Sequence, residues 1–103
     1  IKVKPPTDIL GNPDASKVYE AQRIAKSTMA QRVSHVVDSC FSGRRIVIFS
    51  GGAAKGEEDI YEEIRGIYQG GANGSIIGRN VFQRPRDEAL RILGNVIEIY
   101  KGK

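Results

Sequence analysis

Two hydrophobic patterns alternate along the chain, and together they predict a repeating strand–helix order. Apolar and basic residues alternate at residues 1–4, and short apolar runs follow at 45–50 and 74–77; all three patterns are typical of β-strands. Each run precedes a longer stretch in which apolar residues recur every three or four positions, as on one face of an amphipathic helix. Because this order repeats three times and glycine-containing loops follow the second and third strands, the pattern predicts a parallel sheet with right-handed crossovers.

Capping and helix-breaking residues predict the limits of the main helices. Ser27 is the predicted N-cap of the first, and a short helical turn at residues 15–24 precedes it. Gly70 and Gly71 are predicted to end the second helix. Pro85 is predicted to open the third at the first helical position, where its missing N–H costs nothing. The buried face of this third helix is predicted to comprise Ala89, Leu90, Ile92, Leu93, Val96, Ile97 and Tyr100.

The number of predicted strands argues against an isolated domain. An apolar parallel sheet of three strands would leave two open edges, which favours aggregation, whereas closure by further strands removes them. We therefore expect residues 1–103 to form a single segment of a (β/α)8 barrel, a fold that needs roughly 250 residues. The chain also begins at Ile1, inside a predicted strand and without an initiator Met, which favours a piece of a longer protein. A flavodoxin-like sheet is the competing fold, but it needs about five strands.

Charge and composition argue against several classes of function. Sixteen Lys and Arg against twelve Asp and Glu give a net charge of +4, but the basic residues are scattered and not interleaved with aromatic residues. This distribution argues against nucleic-acid binding. No apolar stretch approaches ~18 residues, so we expect a cytoplasmic protein that binds no membrane. Cys40 is the chain's one cysteine and no metal-ligand spacing is present, so the sequence predicts neither a metal nor another cofactor.

Glycine-containing corners after the second and third strands are the first candidate site. Ser50, Gly51 and Gly52 follow the second strand, and Gly78 and Arg79 follow the third. Glycine lets backbone N–H groups approach an anion, a following helix directs its positive end the same way, and a guanidinium suits phosphate. Each corner alone also fits an ordinary turn or a surface arginine. Two corners one βα unit apart predict a phosphate site, as in the loops after strands 7 and 8 of a (β/α)8 barrel.

A lysine pair is the second candidate. Lys2 and Lys4 project to the same face of the first predicted strand. A lysine amine near a phosphate site is suited to Schiff-base formation with a phosphorylated ketone. Spacing alone, however, favours an ordinary exposed strand for this pair.

Four segments together resemble a known family. They are KVKPPT at residues 2–7, CFSGR at 40–44, SGGAA at 50–54 and GRNVFQ at 78–83. Their order and spacing are similar to those of the carboxyl-terminal part of class I fructose-bisphosphate aldolases of the bacterial and archaeal type. The resemblance covers nearly the whole chain and implies that it forms about strands 6 to 8, with their helices, of a (β/α)8 TIM barrel.

The resemblance also implies a reaction and roles for the candidate residues. Lys2 would form the Schiff base with C2 of a phosphorylated ketose, and no metal would be needed. Fructose 1,6-bisphosphate would be cleaved reversibly to dihydroxyacetone phosphate and glyceraldehyde 3-phosphate. The acid–base Tyr and an Asp of the family come from earlier strands, so we expect the 103-residue chain to need the rest of the barrel as a partner and to be inactive alone. We also expect a homo-oligomer. The C1 phosphate would be held by Ser50, Gly51, Gly52, Gly78 and Arg79.

Three alternatives stay open at this point. Related thiolases and synthases that act on phosphorylated sugars would keep the lysine and the phosphate site. A phosphate-binding barrel enzyme without imine chemistry, such as an indole- or imidazole-glycerol-phosphate enzyme, would keep only the phosphate site. A non-catalytic phosphate- or nucleotide-binding module would fold alone as a compact monomer.

Overall fold

Three parallel strands form one sheet within residues 1–7, 9–51 and 55–102, which are the residues that the structure describes. The structure is a computed structural model. Strand β1 is Lys2–Val3, β2 is Ile48–Ser50 and β3 is Gly74–Ile76, in the spatial order β1-β2-β3. The parallel arrangement confirms the prediction from the strand–helix pattern.

The strands are shorter than the apolar runs that predicted them. Strand β2 begins at Ile48 rather than at residue 45. The Val47 N–H donates to the Asn73 side-chain oxygen at 2.9 Å, and the Asn73 N–H donates to the Val47 carbonyl, also at 2.9 Å. One of these two bonds therefore uses the Asn73 side chain, and regular pairing with β3 begins at Ile48.

Five α-helices accompany the sheet in the described part of the chain. A 3₁₀ turn, Phe41–Gly43, follows the second of them. The short fourth helix, directly after β3, was not predicted from the sequence. The helices are α1 Pro13–Gln22, α2 Met29–Ser39, α3 Glu57–Gln69, α4 Arg79–Phe82 and α5 Arg86–Tyr100.

Two predicted helix starts are wrong by one residue. The N-cap of α2 is Thr28 rather than Ser27, because Thr28 stands three residues before Gln31 and the two form a capping box. The Gln31 N–H donates to Thr28 Oγ1 at 3.2 Å, and the Thr28 N–H donates to Gln31 Oε1 at 3.1 Å. Pro85 is the N-cap of α5 rather than its first helical residue, since its extended ψ of 148° lies outside the helix.

The first hydrophobic core lies between the sheet and helices α2 and α3. Phe49 of β2 is almost completely buried there against Val33 of α2 and Ile67 of α3. Helices α2 and α3 approach closely because α3 presents glycine. A Cβ atom at Gly70 would lie 2.5 Å from Val33 Cγ1 and 2.8 Å from the Ala30 carbonyl oxygen. Val33 and Val37 are the buried residues of α2.

The second core joins α3 to α5, and it uses a narrower face of α5 than the sequence predicted. The buried α5 residues are Ile92, Val96 and Ile99. The prediction that Leu90, Leu93 and Ile97 are buried is wrong, because they are 55%, 39% and 54% exposed. They lie on the side of α5 that does not contact α3.

An open groove runs along this apolar side of α5. It has a volume of about 440 Å³, and Leu93 and Ile97 line it together with Gly74 and Ser75 of β3. Within the part of the chain that the structure describes, strand β3 is an edge of the sheet, with β2 as its one neighbour. A further βα unit of a closed barrel would cover both the strand edge and the apolar side chains. No helix in the described ranges is long and apolar enough to cross a membrane.

Candidate functional site

The first glycine corner begins level with the end of β3. Ser50 ends β2 opposite Ile76, and the next residue, Gly51, donates its N–H to the Ile76 carbonyl at 2.8 Å. A Cβ atom at Gly51 would lie 3.4 Å from the same oxygen, so the backbone approaches β3 closely here. Ser50 is half-buried and Gly51 is exposed. Gly52, also predicted for this site, lies outside the described residues.

The second corner turns directly into α4. Gly78 is the N-cap, and its carbonyl accepts the N–H groups of Val81 and Phe82 at 2.8 and 3.0 Å. Arg79 is the first residue of the helix and is exposed. The strand register brings this corner beside the first one, because both corners follow strands that are paired in the sheet.

Hydrogen bonds join the two corners at a further point, which sequence reasoning missed. The Lys55 N–H, at the end of the loop after β2, donates to Asn80 Oδ1 at 2.8 Å. The Arg84 guanidinium donates to the Asn80 carbonyl at 2.7 Å and to the Lys55 carbonyl at 2.6 Å. Asn80 is only 5% exposed. The available signal was the position of Asn80 inside the GRNVFQ segment, next to Arg79.

A small cavity lies between the two corners. Its volume is about 10 Å³, enough for about one water molecule. Ser50, Gly51, Asn80 and the side chain of Glu63 line it. The Lys55 ammonium pairs with Glu63 at 2.8 Å, and both side chains are half-buried. The ion pair therefore offsets the negative charge of Glu63 beside the corner that is predicted to bind an anion.

Lys2 lies on the strand next to Ser50. It pairs with Ile48, and side chains alternate along a strand, so Lys2, Ile48 and Ser50 share one face of the sheet. Val3 lies on the opposite face, packed against the first core. With about 4.8 Å between strands and a rise of about 3.3 Å per residue, the Cα atoms of Lys2 and Ser50 are roughly 8 Å apart. Lys2 and Lys4 are both exposed.

The most perturbed ionisable groups lie between the start of α3 and α5. Hydrogen bonds from Arg91 and then from Tyr61 lower the pKa of Glu57 to about 2. Burial, followed by the hydrogen bond to Glu57, raises the pKa of Tyr61. Asn95 also donates to the Tyr61 hydroxyl, at 2.8 Å. This network joins the start of α3, which follows the loop after β2, to α5.

Among the described residues, no cluster of three or more His, Cys, Asp or Glu side chains could hold a metal ion. The described polar groups near the strand ends include the Ser50 hydroxyl and the Arg79 guanidinium, which suit an anion, and the Glu63 carboxylate, which is paired with Lys55.

The chain belongs to the DeoC/LacD family of aldolases, whose family model matches residues 1–84. The matched residues include Lys2 and both glycine corners. The fructose-bisphosphate aldolases class 1 of two Halobacterium salinarum strains are each 39% identical over 58 residues. These segments cover 56% of this chain and 21% of each relative.

A solved structure shows the same fold. A crystal structure of an archaeal fructose 1,6-bisphosphate aldolase superposes with a TM-score of 0.65 and 27% sequence identity. The match covers 98% of this chain and 44% of that chain. The matched segments thus span less than half the length of the solved relative and of the two curated relatives. The comparisons confirm the resemblance to class I fructose-bisphosphate aldolases and the assignment of these βα units to a TIM barrel.

Proposed function

We propose that this chain supplies the Schiff-base lysine and the phosphate site of a class I fructose-bisphosphate aldolase. The enzyme would cleave fructose 1,6-bisphosphate reversibly to dihydroxyacetone phosphate and glyceraldehyde 3-phosphate. The observation that carries the proposal is the position of Lys2 on the same face of the sheet as Ser50, one strand away. A lysine side chain spans much of the roughly 8 Å between the two Cα atoms, so its amine can reach a ketone whose phosphate lies at the corner.

Lys2 would act as the nucleophile. Its amine adds to the C2 carbonyl of the ketose, and loss of water gives a protonated imine. When the C3–C4 bond breaks, its electron pair moves into the imine to give an enamine, and the C4 hydroxyl loses its proton as the aldehyde forms. Protonation at C3 and hydrolysis then release dihydroxyacetone phosphate and return the amine.

The proton at the C4 hydroxyl needs a base, and the resemblance implies a Tyr for this role. The four tyrosines of this chain all lie on helices rather than at the carboxyl ends of the strands. We therefore propose that the acid–base groups come from other strands of the barrel and that the 103-residue chain is inactive alone. The tyrosines are Tyr19, Tyr61, Tyr68 and Tyr100.

The phosphate group would be held by different kinds of contact at the two corners. Ser50 offers a hydroxyl and Gly51 offers space, while Gly78 brings the start of α4 towards the anion. Arg79 adds a positive charge that can donate two parallel hydrogen bonds. Gly52 is proposed as part of the same site from the sequence alone.

Borohydride trapping tests the proposed nucleophile. The complete gene product is incubated with dihydroxyacetone phosphate, reduced and digested, and the adduct is located by mass spectrometry. We expect the adduct on Lys2 and its loss in Lys2→Arg, with Lys4→Arg as the matched variant that keeps it. An adduct on another residue, or no adduct in the wild-type protein, would refute the assignment of Lys2.

The identity of the sugar needs a test of its own, because the matched family is described more broadly than the fructose-bisphosphate enzymes. A thiolase or synthase acting on a phosphorylated sugar would keep both Lys2 and the corners. Product analysis with fructose 1,6-bisphosphate decides between a fructose-bisphosphate aldolase and these alternatives. For the aldolase we expect dihydroxyacetone phosphate and glyceraldehyde 3-phosphate in equal amounts. Location in the cytoplasm and assembly into a homo-oligomer stay predictions.

A further inference from the structure

Each described end of the loop after β2 makes a hydrogen bond to a neighbouring element. The partner is β3 at the start of the loop and α4, which follows β3, at its end. At its start, the Gly51 N–H donates to the carbonyl of Ile76, the last residue of β3. At its end, the Lys55 N–H donates to the side chain of Asn80 on α4. The position of the first corner is therefore set by contacts with the second.

The guanidinium of Arg84 closes the second of these connections. One of its N–H groups donates to the Asn80 carbonyl and another to the Lys55 carbonyl, at 2.7 and 2.6 Å. Its planar fork thus fixes α4 and the end of the loop relative to each other. A lysine at this position would keep the charge but could not hold two acceptors in that fixed geometry.

We propose that Asn80 and Arg84 are positioning residues that set the spacing between the two halves of the phosphate site. This inference rests on the proposed function, because it assigns these residues to the same anion site. Arg84 acts through the backbone of Lys55 and Asn80, since these two hydrogen bonds of its guanidinium end on carbonyl oxygens. Lys55 contributes through its backbone as well, because its ammonium pairs with Glu63.

The three hydrogen bonds that join Lys55, Asn80 and Arg84 form a clamp between the two corners, and burial strengthens its effect. Asn80 is 5% exposed, and Lys55 and Arg84 are half-buried. Hydrogen bonds in such surroundings are stronger than in water, and a group left without its partner there is unfavourable. Removal of the clamp should therefore displace Lys55 relative to Asn80 on α4. A misplacement of about 1 Å in a binding site can weaken function by up to roughly a hundredfold.

The test measures inorganic phosphate binding by the complete gene product, followed through amide resonances of the folded protein. We expect Arg84→Lys, Arg84→Gln and Asn80→Ser each to weaken phosphate binding by roughly tenfold or more. Hydrogen exchange at the Lys55 amide should become faster in all three. Arg86→Lys is the matched control, because Arg86 is exposed at the start of α5, and it should bind phosphate as the wild type does.

Each other outcome refutes the inference in a recognisable way. Binding kept by Arg84→Lys but lost by Arg84→Gln would mean that Arg84 contacts phosphate through its charge. Faster exchange at Lys55 with unchanged phosphate affinity would mean that the clamp does not position the site. If Arg84→Lys does not fold, Asn80→Ser still tests whether the clamp positions the phosphate site. The titration follows the amide resonances of folded molecules only.

The inference and the proposed reaction can fail separately. A wild-type protein that binds no phosphate would refute the anion site and this inference together. A wild-type protein that binds phosphate but forms no trapped imine would refute the Schiff-base reaction alone. In that case the variants still decide whether Asn80 and Arg84 position the site.

Discussion

Gly51 donates its backbone N–H to the carbonyl oxygen of Ile76 at 2.8 Å, so the first residue of the loop after β2 is bonded to the last residue of β3. Its N–H is thus already engaged within the fold. We therefore predict that Gly51 would contribute to a phosphate site through the absence of a side chain rather than through its N–H.

Substitution of Gly51 by alanine tests this role. The added methyl group would touch the Ile76 carbonyl at an ordinary contact distance and occupy space at the corner, so we expect Gly51→Ala to weaken inorganic phosphate binding roughly tenfold. Titration calorimetry on the complete gene product measures the change. Gly11→Ala is the control, since a Cβ at Gly11 would meet nothing within 4 Å. Equal affinities for Gly51→Ala and wild type would place the phosphate elsewhere.

Arg79 provides a test of charge at the second corner. If its guanidinium binds the substrate phosphate, Arg79→Ala should remove about 1.5–3 kcal/mol of charge-assisted hydrogen bonding. Affinity for dihydroxyacetone phosphate would then fall by more than about tenfold, whereas imine formation with unphosphorylated dihydroxyacetone would change little. Arg86→Ala should affect neither compound. A similar loss for both compounds in Arg79→Ala would indicate a structural role.

The pairing of the two corners could be predicted from the sequence, but the contacts that fix them could not. Apolar runs and glycines located the strand ends, and the parallel topology implied that successive ends lie side by side. The bond from Lys55 to Asn80 joins residues 25 positions apart and depends on one side-chain rotamer. No local pattern contains that information, so Asn80 and Arg84 were missed.

The exposed side of α5 was mispredicted for a related reason. Periodicity identifies which residues of a helix are apolar, but the neighbouring elements decide which of them are covered. Helix α3 covers Ile92 and Val96, whereas nothing in the described part of the chain covers Leu93 and Ile97. The sequence therefore predicted the apolar character of this face correctly and its burial wrongly.

The apolar groove along α5 predicts that the 103-residue chain associates when it is made alone. We expect sedimentation velocity to show concentration-dependent self-association, because exposed apolar patches and a free strand edge favour it. Leu93→Gln with Ile97→Gln should reduce the association, whereas Val18→Gln on α1 should leave it unchanged. A compact monomer at all concentrations would instead support the non-catalytic module that folds alone.

The close contact between α2 and α3 gives a prediction about stability. An alanine at Gly70 would place its Cβ 2.5 Å from Val33 Cγ1 and close to the Ala30 backbone, so the helices would have to move apart. We expect Gly70→Ala to lower the free energy of unfolding by about 1–3 kcal/mol, the usual effect of overpacking. Urea denaturation followed by circular dichroism measures it.

A second glycine provides a control in which the same substitution should raise, rather than lower, the free energy of unfolding. Gly94 lies inside α5, where a Cβ atom would meet nothing within 4 Å. Gly94→Ala should therefore raise the free energy of unfolding by about 0.5–1 kcal/mol, because alanine favours the helix. Stabilisation by both substitutions would contradict the close packing of α2 against α3.

The Glu57 carboxylate gives a prediction about pH. Hydrogen bonds from Arg91 and Tyr61 lower its pKa from 4.5 to about 2 in the folded protein. The group therefore stabilises the fold fully above the pKa of the unfolded chain, and this contribution is lost as the pH falls towards about 2. Glu57→Gln should be less stable than the wild type at neutral pH, and the difference should shrink between about pH 5 and about pH 2.

The urea midpoint, measured at a series of pH values, tests this change. Glu58→Gln is the matched control in the same first turn of α3, because Glu58 is exposed and lies outside the bonds between Arg91, Tyr61 and Glu57. Its stability should follow the wild-type pH dependence with at most a small constant offset. A difference between Glu57→Gln and wild type that stays constant down to about pH 2 would mean that the Glu57 carboxylate does not hold α3 to α5 through its charge.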